Sequence, residues 1–203
     1  MNNYKISQKG IDLVKKYEGC QLKAYRCPAG VITIGYGHTG SIDGKPLTMS
    51  TIITQQKAEQ LLINNLNGSY AQAVNKLKNI KNQNQFDALV SFCYNLGTGI
   101  FKGNLLNAIN SGDDKEVARQ MRLYNKARVN GGLTELKGLT RRRNEEAELF
   151  LTPAQKKKDE EHLKNINVLV AAGIIGQPDV WEDVNDNTKA LIRKTAAYIQ
   201  KNK

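Results

Sequence analysis

The sequence predicts an α+β protein with a small β-hairpin lobe, a larger helical lobe and, after them, a small all-α hairpin module. Three observations indicate this arrangement. Two short strand-like runs lie near the start, apolar residues recur at helical spacing from about residue 54 onward, and a Thr-Pro pair precedes a separate helical stretch. The length of 203 residues accommodates one main domain and a small appendage.

A helix followed by two strands is predicted at the start of the chain. Ser7 is a candidate N-cap and Gly19 marks the expected helix end, so Glu18 lies at the C-terminal end of this helix. Residues 22–25 and 31–34 are typical of two short strands around the turn-forming Pro28-Ala29-Gly30. These strands form the predicted β lobe.

The helical lobe is predicted from apolar residues that recur three or four positions apart. Such sets occur within residues 58–66, 86–93 and 105–109, and two more helices are expected over residues 113–124 and 140–151. The second set includes a cysteine that we expect to be buried and structural.

A domain boundary is predicted at Thr152-Pro153, because Thr is a favourable N-cap and Pro is tolerated at the first position of a helix. The predicted domains are therefore residues 1–152 and residues 153–203. The second is expected to be a helical hairpin whose first helix ends at Gly173 and whose turn carries Trp181, the only tryptophan.

Composition and charge exclude several classes of protein. The chain has 40% apolar residues and a mean hydropathy of −0.51, which is ordinary for a globular protein and excludes bulk disorder. Its net charge is +11, of which residues 1–153 hold +9 and residues 154–203 hold +2. A basic surface favours anionic partners. We find no apolar run of membrane-spanning length and no signal-peptide pattern, so neither membrane insertion nor export by a signal peptide is expected.

The cysteines and histidines argue against disulfide and zinc frameworks. The three cysteines, Cys20, Cys27 and Cys93, form no Cys-x-x-Cys pair, and the two histidines, His38 and His162, are far apart. We therefore expect a reducing compartment, no catalytic metal and no cofactor.

Three polar residues near the start form the candidate catalytic group. Cys27 lies nine residues after Glu18, and Thr33 lies six residues after Cys27, on strands that fold back toward the helix end. A lone Glu at a helix end is most often solvated, and a lone turn Cys is most often a small half-buried residue. The combination therefore carries the prediction.

This spacing resembles that of the phage-type (T4-like) lysozymes of glycoside hydrolase family 24, whose signature is Glu, eight residues, Asp or Cys, five residues, Thr. Residues 33–39, Thr-Ile-Gly-Tyr-Gly-His-Thr, are similar as well. So are residues 85–92 with Asn95, Gly97 and Gly99, which look like the family's central helix and turn, and Gly131-Gly132, Gly138-Leu139, Arg141-Arg142-Arg143, Glu146, Leu149 and Phe150, which look like its closing helix. The resemblance covers about residues 7 to 151.

The resemblance implies a lysozyme-like fold and a peptidoglycan hydrolase, an endolysin that cuts the β-1,4 bond between N-acetylmuramic acid and N-acetylglucosamine with inversion. Glu18 would be the acid that protonates the leaving oxygen. Cys27 stands where many relatives have Asp, and Thr33 would help to hold the attacking water. A carboxylate nearby is expected to raise the pKa of the Cys27 thiol, which would favour a water-orienting role over a base.

The same resemblance implies three supporting residues. The family places an arginine of its closing helix against the catalytic Glu, and Arg142 is the expected one, with Arg141 as the alternative. Tyr36 and His38 are expected near the cleft, and His38 is given no role in proton transfer.

Other functions remain open at this point. A lytic transglycosylase would use one Glu on the same bond, and a zinc amidase would need three metal ligands. A basic nucleic-acid- or wall-binding protein without hydrolytic activity would explain the basic charge and the arginines at 141–143, but would leave residues 18–39 unexplained. The C-terminal module is expected either to bind the wall or to stabilise the main domain.

The expected partner is bacterial peptidoglycan, with no nucleic acid. We also expect a monomer that, without a signal peptide, accumulates in the host bacterial cytoplasm until lysis and then acts at the cell wall. The family alone implies a separate holin pore as the route to the wall.

Overall fold

The computed structural model describes residues 2–129, 131–153, 160–176, 178–181 and 184–201. The chain forms two compact units, Met1–Ala154 and Gln155–Lys203. The predicted α+β class is confirmed, because a small antiparallel sheet near the start is followed by a mainly helical body.

The helices are α1 (Gln8–Glu18), α2 (Gln55–Asn65), α3 (Ala71–Asn75), α4 (Gln83–Leu96), α5 (Gly103–Ser111), α6 (Asp114–Arg122), α7 (Lys137–Leu151), α8 (Glu160–Ala171) and α9 (Asp186–Lys201). The strands are β1 (Gln21–Arg26), β2 (Ile32–Gly35), β3 (His38–Thr39), β4 (Ser41–Ile42), β5 (Lys45–Pro46), β6 (Lys126–Val129) and β7 (Gly132–Glu135). A π-helical turn spans Leu66–Tyr70, and 3-10 turns span Thr98–Ile100 and Pro178–Trp181.

Strands β1, β2 and β3 form an antiparallel sheet in that order. The first two are the predicted strands. Thr33 lies in the central strand, opposite Tyr25 on one side and Thr39 on the other, and its side chain is buried. Behind the sheet lies a small apolar core of Ala24, Ile34 and Leu47.

Helix α4 is the centre of the helical lobe. Every residue from Gln85 to Cys93 is buried, because α1 and α7 pack against it and further helices surround it. The buried Cys93 has the structural position expected for it. A helix that is enclosed in this way fixes the positions of the helices that pack on it.

Helix α1 is held against α4 at its N-terminal end. Ser7 occupies the N-cap position, but its side chain accepts no hydrogen bond from its own helix; instead its hydroxyl donates to Asp87 of α4, and its backbone N–H donates to Asp87 Oδ1 at 3.0 Å. Nearby, a Cβ on Gly10 would lie 2.9 Å from Asp87 Cβ. Only glycine permits this approach, and the resulting contact orients the helix that ends at Glu18.

Two local expectations are wrong. Thr152 ends α7 instead of starting a helix, and its hydroxyl donates to the Glu148 carbonyl at 2.8 Å, because the last carbonyls of a helix lack intrahelical partners. Gly132 lies in β7 rather than in the closing helix, which begins at Lys137. Strands β6 and β7 form an antiparallel ribbon before α7 that the sequence analysis did not predict.

The second unit has its own small core between α8 and α9. Ile166, Leu169, Ile192 and Ala196 are buried together, and Trp181 packs against them. As predicted, the first helix ends near Gly173, which has a φ of 68°. The Trp181 carbonyl lies 2.6 Å from His162 Nε2 and ties the turn to α8. None of the described helices is both long and apolar enough to cross a membrane.

Candidate active site

Glu18 lies at the last position of α1, where the chain turns at Gly19, with a φ of 66°, toward the β-sheet. Its side chain is 23% exposed. It opens into a cavity of about 650 Å³ lined by Lys16, Tyr17, Glu18, Asn95, Leu136, Gly138, Leu139, Arg141, Arg142 and Glu145. A cavity of this size is within the range of small-molecule sites, so Glu18 is a carboxyl group with room for a ligand beside it.

Arg142 of α7 holds the Glu18 carboxyl. Arg142 Nη1 donates to Glu18 Oε1 at 2.6 Å, and the Arg142 side chain is only 4% exposed. Its guanidinium lies 5.5 Å from the centre of the Tyr17 ring. The structure therefore brings Glu18 together with Arg142, whereas Arg141 is exposed on the cavity rim.

A second carboxylate lies behind Arg142. Glu146 is completely buried, and its Oε1 accepts from Arg142 Nε at 3.0 Å and from Ser91 Oγ at 2.7 Å. Arg143 Nη2 donates to the same oxygen at 3.1 Å and also to Asn95 Oδ1 at 3.1 Å. The sequence analysis assigned no role to Glu146, although its spacing of four residues from Arg142 in a helical pattern indicates an ion pair.

Cys27 and Thr33 come together at the edge of the β-sheet. The Cys27 backbone N–H donates to the Val31 carbonyl at 3.0 Å, and Thr33 Oγ1 donates to the same carbonyl at 3.1 Å. This tight turn leaves Cys27 half-buried. Neither residue is among those that line the cavity beside Glu18.

The turn changes the chemistry of the Cys27 thiol in a direction opposite to that expected. Hydrogen bonds from the backbone at Val31 and then at Ala29 lower the pKa of Cys27, and the Thr33 hydroxyl adds to this effect. Backbone donors favour the thiolate because they stabilise its negative charge. The expectation of a raised pKa overlooked these donors and is wrong.

Tyr36 and His38 support the β lobe. Tyr36 is 6% exposed within the helical core. Its hydroxyl accepts from Gln55 Nε2 at 2.8 Å, and its carbonyl accepts from Tyr94 Oη at 2.6 Å. His38 has its ring nitrogens near the Ser41 carbonyl, at 3.2 Å, and near Asn65 Nδ2, at 3.3 Å. Neither side chain lines the cavity beside Glu18.

The three cysteines are free thiols. Burial raises the pKa of Cys93 to about 12 and also raises that of Cys20. Within the part of the chain that the structure describes, no three His, Cys, Asp or Glu side chains come close enough together to hold a metal ion.

The site includes residues that sequence reasoning missed. Tyr17, Leu136 and Leu139 line the cavity and give it an apolar wall, and Ser91 and Glu146 lie behind Arg142. Tyr17 and Leu136 belong to no motif noted in the sequence, and Leu139 was noted without a role, so only folding shows that they lie beside Glu18.

Comparisons with known proteins identify the family of the chain. The family model described as phage lysozyme matches residues 15–146. An endolysin of Acyrthosiphon pisum secondary endosymbiont phage 1 is 40% identical over 146 residues, which cover 71% of this chain and 97% of that protein. An endolysin of Bacillus phage B103 is 35% identical over 206 aligned positions, covering 98% of this chain and 75% of that protein.

A solved structure gives the same result. The muramidase domain of SpmX from Asticaccaulis excentricus superposes with a TM-score of 0.68 and 39% identity, covering 74% of this chain and all of that one. The family match includes Glu18, Cys27, Thr33 and Arg142. The chain therefore belongs to the phage lysozyme family and is a lysozyme, a peptidoglycan-hydrolysing muramidase.

Proposed function

We propose that this lysozyme hydrolyses the β-1,4 bond between N-acetylmuramic acid and N-acetylglucosamine by a single inverting displacement in which Glu18 is the acid. The observation that supports this proposal is the placement of Glu18, a partly exposed carboxyl on the wall of a cavity of about 650 Å³, held by a buried arginine. Cleavage needs a proton on the leaving oxygen as positive charge develops on the sugar. Glu18 supplies that proton.

In this proposal, Cys27 and Thr33 activate and orient the attacking water. Backbone hydrogen bonds lower the pKa of Cys27, and in this proposal its thiolate accepts a hydrogen bond and then a proton from the attacking water. Thr33 fixes the turn that carries the thiol and helps to orient that water. Arg142 keeps the Glu18 side chain in one position, and Tyr36 and His38 hold the sheet.

Mass spectrometry of muropeptides released from purified peptidoglycan tests the role of Glu18. We expect hydrated N-acetylmuramic acid ends from the wild type. A Glu18→Gln variant should lose about 10²- to 10⁴-fold in kcat, the usual contribution of a general acid. Glu148→Gln, the same chemical change at an exposed position of α7, is the matched control.

The products also distinguish the mechanisms. Ends lighter by one water would indicate a transglycosylase, and a folded Glu18→Gln enzyme with wild-type activity would contradict the assignment of the acid. NMR of the first product should show the α-anomer, because inversion of a β-linkage gives α. An initial β-anomer would contradict a single displacement.

Cys27 is tested by two substitutions. Cys27→Asp should retain activity because a carboxylate accepts the same proton. Cys27→Ser should lose activity because a hydroxyl does not ionise near neutral pH. Equal rates for Cys27→Ser and the wild type would contradict a base role.

We also propose a division of labour between the two units. The first unit, with a net charge of +9 over residues 1–153, catalyses the reaction, and the second retains the enzyme on the wall. The endolysin of Acyrthosiphon pisum secondary endosymbiont phage 1 supports this division, since 97% of its length aligns with only 71% of this chain. The enzyme acts as a monomer that accumulates in the host cytoplasm and reaches the wall through a holin pore.

A further inference from the structure

Glu146 is the most completely buried carboxylate of the site, and its partners come from two helices. It faces Arg142 and Arg143 on its own helix α7, and Ser91 on α4 donates to it at 2.7 Å. Arg143 Nε lies 2.8 Å from Glu146 Oε2, with both side chains fully buried. Enclosing a charge at such depth is costly unless ion pairs and hydrogen bonds compensate for the lost water.

Burial and the two neighbouring arginines act on Glu146 in opposite directions. Burial raises the pKa of Glu146, while the guanidinium groups of Arg143 and Arg142 oppose that rise. A neutral Glu146 would leave two buried guanidinium groups with Glu18 as their sole carboxylate partner among the described contacts. The ionised form is therefore favoured.

Glu146 divides the donors of Arg142. Arg142 Nε donates to Glu146 Oε1 at 3.0 Å, while Arg142 Nη1 donates to Glu18 Oε1 at 2.6 Å. The charges of Arg142, Arg143 and Glu146 beside Glu18 then sum to +1. Without the Glu146 charge, the two arginines would place +2 beside Glu18.

We propose that Glu146 is a positioning residue for the reaction, which acts on Glu18 through Arg142 and neutralises the excess positive charge of the arginine pair. The inference rests on the proposed role of Glu18 as the acid. Glu146 touches no substrate. It fixes the Arg142 guanidinium by its Nε and offsets one of the two positive charges beside Glu18.

The pH dependence of the reaction is the specific readout. The groups that face Glu18 or act on it are Arg141, Arg142, Arg143, Glu145 and Glu146 of α7, Tyr94 of α4, Tyr70 of the π-helical turn and Tyr17 and Lys16 of α1. Of the two carboxylates among these, Glu145 pairs with Lys16, and only Glu146 pairs with Arg142. Replacing Glu146 with a neutral amide adds one positive charge and favours the ionised form of the acid, so the alkaline limb of the rate profile moves to lower pH.

The experiment compares Glu146→Gln with Glu148→Gln, its matched control on the exposed side of α7. For Glu146→Gln we expect kcat to fall about tenfold, as for a misplaced catalytic group, with KM within about twofold. The alkaline limb should move down by about one pH unit, as for a nearby charge. Glu148→Gln should leave kcat, KM and the alkaline limb unchanged. A folded Glu146→Gln enzyme whose limb matches the wild type would overturn the proposal.

A second, charge-balanced variant keeps the proposal testable if Glu146→Gln does not fold. Arg143→Gln with Glu146→Gln removes one charge of each sign, so the limb should lie within about 0.3 pH units of the wild type. Its kcat should still be low because Arg142 Nε has lost its anchor. Wild-type kcat in this double variant would overturn the positioning role. Glu18→Gln is measured alongside, and full activity there would refute the proposed acid and this inference with it.

Discussion

The contact between α1 and α4 at Gly10 predicts that adding one methyl group there destabilises the enzyme. A Cβ at this position would lie 2.5 Å from Ile6 Cδ1 and 2.9 Å from both Cβ and Cγ of Asp87. The Ile6 methyl is the far end of a flexible side chain and can move. The Asp87 atoms lie next to the backbone of the enclosed helix α4, so α1 itself must shift.

The magnitude follows from two opposing terms. Replacing a helical glycine by alanine gains about 1 kcal/mol in helix propensity. Overpacking of this kind costs about 1–3 kcal/mol, and the upper part of that range applies when backbone has to move. We expect Gly10→Ala to lower the free energy of unfolding by about 1–2 kcal/mol, or the melting temperature by about 2–8 °C for a chain of this size.

Calorimetry is the suitable assay, because two compact units can give two transitions and only the first unit contains Gly10. The control is Gly138→Ala. Gly138 is also helical, but a Cβ there meets nothing within 4 Å. This variant should melt at or slightly above the wild-type temperature. A Gly10→Ala enzyme that melts as high as Gly138→Ala would refute the reasoning.

Three further predictions follow from the contacts described above. Iodoacetamide near neutral pH should label Cys27 before Cys20 and leave Cys93 unlabelled, since the pKa of Cys27 is lowered and burial raises the pKa of the other two thiols. Peptide mass spectrometry measures the order of labelling, and labelling of Cys20 first would contradict this prediction. Burial raises the pKa of Asp87 above 3.8, so its contribution to stability is present below that pH and is lost as the pH rises through the folded-state pKa. The melting temperature of Asp87→Asn relative to that of the wild type should therefore be higher at pH 6 than at pH 4. A relative melting temperature that falls between pH 4 and pH 6 would contradict this prediction. Deleting residues 154–203 should leave a folded, active enzyme that pellets less with cell walls, whereas an insoluble product would indicate a structural role.

The elements that sequence reasoning predicted are those with a periodic apolar face. The 58–66 and 86–93 patterns became α2 and the buried centre of α4, because their burial is set by spacing along the chain. The β6–β7 ribbon was missed because nearly all of its side chains are exposed, including Leu133 at 70%, so it shows no apolar alternation. Its available signal was the dipeptide Asn130-Gly131, a type that favours two-residue hairpin turns.

The candidate site divides in the same way. The resemblance to the family signature grouped Glu18, Cys27 and Thr33, which lie within sixteen positions of one another. The lowered pKa of Cys27 depends on where backbone N–H groups point, which only the folded turn determines. The role of Glu146 likewise required knowing that α7 turns this residue toward α4 rather than toward water.

The ion pair between Glu18 and Arg142 joins residues 124 positions apart, so nearly the whole first unit must be synthesised before it can form. During translation, which adds about 5–20 residues per second, α1 and the sheet emerge well before α7. A nascent chain, or a fragment cut ahead of residue 137, carries Glu18 without its arginine. A peptidoglycan-hydrolysing enzyme built in this way completes its site only after most of its first unit has been synthesised.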